Sequence, residues 1–125
     1  MQTRLLTALF LLSAAAAPLA ADARADAKKQ VEFGITVAQR GLWREAIYRW
    51  ERATQIDPKY AEALNNLAIA YEHEGDLEKA RVAYEKALEI APNNALIKQN
   101  YELFKEINDR TTRKDSQDAP DPDTQ

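Results

Sequence analysis

Two glycines and two prolines of this chain stand 34 residues apart in register: Gly41 with Gly75, and Pro58 with Pro92. Laying residues 27–60 over 61–94 adds Ala27/Ala61, Ile35/Ile69, Ala46/Ala80, Glu51/Glu85, Ala53/Ala87 and Ile56/Ile90 as identical pairs. Phe33/Leu67, Gly34/Ala68, Trp50/Tyr84 and Arg52/Lys86 are similar pairs in the same frame. A fixed period of this size marks a repeat architecture, in which each unit is one supersecondary element that buries its apolar face on its neighbour. Whatever the chain does, it does it on two stacked copies of one motif.

Each copy reads as two helices. In the second, Leu64, Leu67, Ala68 and Tyr71 recur at helical spacing and form an apolar stripe. Gly75 suits the left-handed residue that ends a helix, and Asp76 suits the N-cap of the next. Leu77, Ala80, Tyr84, Ala87, Leu88 and Ile90 form a second stripe, which Pro92 stops. The first copy repeats the plan with Phe33 and Val37, then Gly41, then Trp43, Ala46, Ile47, Trp50, Ala53 and Ile56, then Pro58. The small residues Gly34/Ala68, Ala46/Ala80 and Ala53/Ala87 lie on the apolar faces, where they let antiparallel helices approach closely. Residues 95–108 form one more helix, with Ile97, Tyr101 and Phe104 on one stripe and Leu96, Asn100, Leu103 and Ile107 on its neighbour. Asn93 and Asn94 offer N-cap oxygens to it. Lacking a second helix, it reads as the polar cap a terminal repeat needs.

The ends differ from the middle. Residues 1–25 open with Arg4, run apolar through 5–17, and meet Pro18 and two small-residue motifs, Ala21-Asp22-Ala23 and Ala23-Arg24-Ala25. This is the layout of a secretory signal peptide, cleaved near Ala23 or Ala25. It predicts a periplasmic or secreted protein; the alternative is a leader left uncleaved as a membrane anchor, the one case giving membrane contact. From Asp109 to Gln125 the chain has one Ala, no larger apolar residue, two prolines and five aspartates, and reads as a disordered acidic tail.

Composition narrows the chemistry. With no Cys there is no disulfide, thiolate metal site or cysteine nucleophile, so helix packing alone must stabilise an exported domain. One His leaves no His cluster for a metal. A net charge of −3 lacks the basic face a nucleic-acid binder needs. No glycine-rich phosphate loop, Ser/His/Asp set or ligand spacing occurs, so the sequence offers no catalytic residue, cofactor or metal site and no small-molecule substrate. Glu78, Lys79, Glu85, Lys86 and Glu89 read as a solvated, weakly paired helix face. Tyr48, two residues before Trp50, points off the core, and Val82 holds the same place one repeat later.

At these residues the chain resembles the tetratricopeptide repeat family, whose 34-residue unit is a helix–turn–helix. The second copy carries the resemblance in Leu64, Leu67, Ala68, Tyr71, Ala80, Tyr84 and Pro92, and the first in Phe33, Gly34, Ala46, Trp50 and Pro58. The first departs at Gln30 and Val37, where a large apolar residue and Tyr are usual. The resemblance implies an all-α, right-handed helical-repeat solenoid: a domain at 26–108, repeats at 27–60 and 61–94, and a cap helix at 95–108. It also implies a protein or peptide partner held on the concave face by the first helix of each pair. On that face fall Glu62, Asn65, Asn66, Ile69, Glu72 and His73 in the second copy, and Lys28, Val31, Ile35, Ala38 and Gln39 in the first. The cap helix adds Gln99, Asn100, Leu103 and Ile107. The candidate groove is therefore Lys28, Val31, Ile35, Asn65, Asn66, Ile69, His73, Gln99, Asn100 and Leu103. Some family members clamp a terminal carboxylate; Asn66 and Asn100 match that clamp, but Val31, Ile35 and Leu96 replace its Lys, Asn and Lys, which argues against it here. The expectation is a non-catalytic exported adaptor or scaffold. Its alternative is a structural subunit that completes a short solenoid against its own copy.

Overall fold

The computed structural model describes residues 16–117, with side chains for 19–114. Five helices follow one another: α1 (Ala16–Gln39), α2 (Trp43–Ile56), α3 (Ala61–His73), α4 (Leu77–Ile90) and α5 (Ala95–Gln117), with no strand among the described residues. Each packs on its neighbour in sequence, giving the all-α helical-repeat arrangement that the period of 34 predicts.

Both repeats close their first helix the same way. Gly41 and Gly75 each have φ 78°, a left-handed backbone that a residue with a Cβ adopts only at a cost. Leu42 N donates to Val37 O at 3.0 Å, and Asp76 N to Tyr71 O at 2.8 Å. Gly41 N and Gly75 N reach Ala38 O and Glu72 O at 2.9 and 3.0 Å. These paired bonds satisfy the last carbonyls of α1 and α3 and turn the chain into the next helix. Asp76 then caps α4 by accepting from Lys79 N, whereas Leu42 leaves α2 without a side-chain cap. Asn94 caps α5 by accepting from Ile97 N at 3.1 Å.

The core is built on alanine. Ala27, Ala46, Ala53, Ala63, Ala68, Ala70, Ala80 and Ala87 are completely buried, so helix backbones meet closely. Trp50 and Tyr84 fill the gaps beside these seams. Trp50 fits because residue 34 is glycine: a Cβ there would lie 2.3 Å from its indole nitrogen. The indole N–H donates to Val31 O at 3.1 Å, which ties α2 to the middle of α1. Between repeats the equivalent Glu51 and Glu85 accept from tyrosines of the following helix, Tyr71 at 2.8 Å and Tyr101 at 2.9 Å. Tyr84, Tyr101 and Phe104 pack ring on ring, with centroids 5.6–6.2 Å apart, and fasten α5 to α4.

Three expectations change. Phe33, placed on the apolar stripe, is 47% exposed; Trp50 occupies the seam against Gly34, and the Phe33 ring lies outside under the Arg49 guanidinium, 4.3 Å away. α1 is already helical at Ala16, the first described residue, so both small-residue motifs at 21–25 lie within a helix, which their alanines favour. Within this extension Arg24 ion-pairs with Asp57, donates to Lys59 O at 3.2 Å and stacks over Tyr60 at 4.5 Å. α5 runs nine residues past the expected end at 108, so 109–117 is helical rather than disordered. An Arg110–Glu106 ion pair and bonds from Thr111 and Thr112 to carbonyls one turn back support it. Lack of apolar residues forbids burial, but a helix already anchored by Ile97 and Phe104 extends cheaply. The rest of the leader, 1–15, and the rest of the tail, 118–125, lie outside the described residues.

Candidate functional site

α3 is flanked by two open cavities that share Ile69. The first, about 300 Å³, is walled by Ile35, Ala38 and Gln39 of α1, Trp43 and Trp50 of α2, and Asn66 of α3. The second, about 430 Å³, lies between α3, the start of α4 and α5. Its walls are mostly apolar: Ile69, Leu77, Leu103, Phe104 and Ile107, with Glu72, Tyr84 and Asn100 among them. Together they make one trough along the face that carries residues of α1, α3 and α5. Cavities of this size, apolar with a few polar groups, are typical of binding sites.

The sequence-predicted residues divide. Ile35, Asn66, Ile69, Asn100 and Leu103 come together along this trough. Val31 does not: at 5% exposure it belongs to the core, under the Trp50 indole. Asn65 is likewise 5% exposed, and its Oδ1 accepts from Asn100 Nδ2 at 3.1 Å. That amide pair, expected to meet a peptide, instead joins α3 to α5. Lys28 and Gln99 are exposed and line neither cavity; Lys28 Nζ stands 4.0 Å from Glu32. His73 is exposed and set edge-on to Trp43, with ring centroids 4.1 Å apart. Tyr48 is exposed as expected, while Val82 forms part of a separate cavity beside Leu67 and Tyr71.

Leu77, Tyr84 and Phe104 were missing from the predicted site. They read as core stripe, and only the depth of the second cavity brings them to its wall. Glu72 lay on the predicted stripe but was not singled out. Its Oε1 is shielded from solvent and has no hydrogen-bond partner. Burial holds the Glu72 carboxyl above the usual carboxylate range, with the Tyr84 hydroxyl offsetting part of this. Tyr84 is pushed upward in turn, by burial first and by the Glu72 charge second. Asn100 donates one of its two amide N–H groups to Asn65, which fixes the side chain and leaves its carbonyl oxygen available as an acceptor. The cavity thus joins apolar walls to one carboxylate, with the amides of Asn100 and Asn108 and the hydroxyl of Thr111 also lining it.

Among the described residues no group of three or more His, Cys, Asp or Glu could hold a metal ion. No described helix is long and apolar enough to cross a membrane.

Comparison with known proteins agrees with this architecture. The family model for the tetratricopeptide repeat matches residues 61–94, and a second model, for the TPR repeat, matches residues 37–75. An uncharacterized protein ycf37 of Pyropia yezoensis is 51% identical over 36% of this chain and 25% of its own length. The photosystem I assembly protein Ycf3 of Rippkaea orientalis is 30% identical over 55% of this chain and 48% of its own. The small glutamine-rich tetratricopeptide repeat-containing protein 2 of Mycosarcoma maydis is 30% identical over 66% of this chain and 23% of its own. The chain therefore spans half or less of the length of these curated relatives.

Proposed function

Because this chain belongs to the tetratricopeptide repeat family, we propose that it is a non-catalytic adaptor that receives a segment of a partner protein in the trough on either side of Ile69. The observation that carries this reading is the pair of apolar cavities sharing Ile69. Exposed apolar surface concentrated in a concavity is what a partner covers. The name of the Rippkaea relative, an assembly protein, fits a scaffold that brings other proteins together. Read as a signal peptide cleaved near Ala23 or Ala25, the leader supports work in the periplasm or outside the cell.

Affinity capture from the exported fraction tests it. The bait should hold one recurrent partner, and a bait carrying Ile35→Ala, Ile69→Ala and Leu103→Ala should lose it. A Tyr48→Ala bait, altered away from the trough, should keep it. A partner retained in full by the triple variant sinks the trough assignment.

The second reading is self-assembly. Leu96, Leu103 and Ile107 leave α5 with exposed apolar surface, 54–61% accessible, and no described helix packs beyond it. Sedimentation at micromolar concentration separates the two, since this reading requires a species larger than a monomer.

A further inference from the structure

The second cavity has a chemical polarity that the trough as a whole lacks. Its walls are mostly apolar, and its one charged group is the Glu72 carboxylate, set among the Tyr84 and Thr111 hydroxyls and the Asn100 and Asn108 amides. Glu72 brings a carboxylate whose Oε1 has no partner, although the surrounding side chains remove it from water. Asn100 brings an amide whose Nδ2 is held by Asn65 through one N–H, leaving its carbonyl oxygen free to accept a cationic head. No lysine or arginine lines the cavity to neutralise the carboxylate. A shielded acceptor with no donor is costly to a folded protein and is normally satisfied by something.

We propose that this cavity is a receptor for a lysine or arginine side chain of the partner segment, with its aliphatic stem along Leu103 and Ile107 and its cationic head at Glu72 and Asn100. This rests on the trough reading and names what the trough selects. Such a side chain matches the lining in both halves, because its methylenes cover apolar surface while its head donates. A carboxylate in a partly dried pocket distinguishes a cation from a neutral or anionic side chain far better than one in open water does. The net charge of −3 favours approach of a basic partner as well.

The test uses three capped pentapeptides identical except at the centre: Ala-Leu-Lys-Leu-Ala, and the same with norleucine or Glu in place of Lys. Binding to the full chain is read from the methyl NMR signals of Ile69, Leu103 and Ile107. The lysine peptide should shift these methyls and bind at least tenfold more tightly than the norleucine peptide, with the Glu peptide weakest. Glu72→Gln should erase the lysine preference while melting no lower than the parent, which separates lost recognition from lost folding. Leu103→Ala, at an exposed position, should weaken the lysine and norleucine peptides together.

Equal binding of lysine and norleucine peptides, or a preference that survives Glu72→Gln, overturns the proposal and leaves the trough reading standing. Absence of shifts with all three peptides also overturns it; the trough is then judged by partner capture alone. Methyl shifts that grow with protein concentration before any peptide is added overturn it in favour of a second copy as the occupant.

Discussion

The two repeats follow one plan but solve its central problem differently. In the first, Gly34 faces Trp50; in the second, the equivalent positions hold Ala68 and Tyr84, both buried. The larger indole requires the smaller partner, and its N–H gains the Val31 carbonyl as an acceptor. Seam and filler are thus one unit, conserved in combined volume rather than in identity. The consequences spread outward. The wide ring displaces Phe33 to the surface, where the matching Leu67 is buried. Gln30, facing inward where the second repeat has Leu64, is left with a buried Oε1 that has no partner. The second repeat is the more regular packing, and the first is the one fitted around a large side chain.

The sharpest way to break this comparison is to exchange the seam residues. Gly34→Ala should cost about 1–3 kcal/mol in denaturant unfolding, because the new methyl collides with the Trp50 ring rather than with a flexible chain end. Ala68→Gly should cost less, about 0.5–1 kcal/mol, the ordinary penalty of glycine within a helix. The pair Gly34→Ala with Trp50→Tyr copies the second repeat's solution and should be more stable than Gly34→Ala alone. Failure of the second change to rescue the first would mean that the seam and its filler are not coupled.

The helix starts differ next. Leu42 and Asp76 hold nearly the same backbone, φ −88° and ψ 63° against φ −88° and ψ 73°, but only Asp76 caps its helix. Asp76→Ala should lose about 1 kcal/mol, and Leu42→Asp should gain about 0.5–1 kcal/mol by supplying the missing acceptor. The gain should appear as a higher Tm, since Leu42 is half exposed and gives up little packing.

Most of this architecture was legible because glycine, proline and alanine act locally. Gly41 and Gly75 announce a left-handed backbone, Pro58 and Pro92 announce helix ends, and the alanines announce close seams. Periodicity then placed most stripe residues in the core, although Leu77 and Ile90, at the two ends of the α4 stripe, are exposed. It failed where a face depends on a partner's size or on a fit between elements. Val31 and Asn65 have the right spacing for the trough but are covered by Trp50 and by α5. The cavity at Glu72 is built jointly by α3, α4 and α5, which no single stripe encodes. The length of α5 was hidden for another reason: composition reports whether a segment can be buried, not whether an anchored helix continues through it.

The base of the first repeat carries a fastening with no counterpart among the described contacts of the second. Arg24 reaches from α1 to Asp57 and Lys59 in the turn between repeats, and holds the Asp57 carboxyl below its usual range. A chain starting at residue 26 should therefore melt below one starting at residue 24. The difference should be at most about 1 kcal/mol, since much of the guanidinium is in solvent. Equal melting of the two chains would show that the fastening contributes nothing.

The smallest expected effect concerns charge in the second repeat. Folding raises the Glu72 carboxyl above its ordinary value of 4.5 through burial, so the folded protein binds its proton more tightly than the unfolded chain. The sign follows by linkage. Above the folded pKa the ionised group subtracts from stability, and that penalty fades as pH falls through the folded value and is gone below 4.5. Glu72→Gln should thus melt slightly above the parent near neutrality, with the two curves converging in acid, where the parent carboxyl is protonated as well. Tyr84 is the titratable group facing Glu72 from α4, and it stays protonated throughout this range, so it does not disturb the comparison. A parent more stable than Glu72→Gln at neutral pH would mean that hydrogen bonding to the ionised carboxyl, from Tyr84 above all, outweighs the cost of its burial.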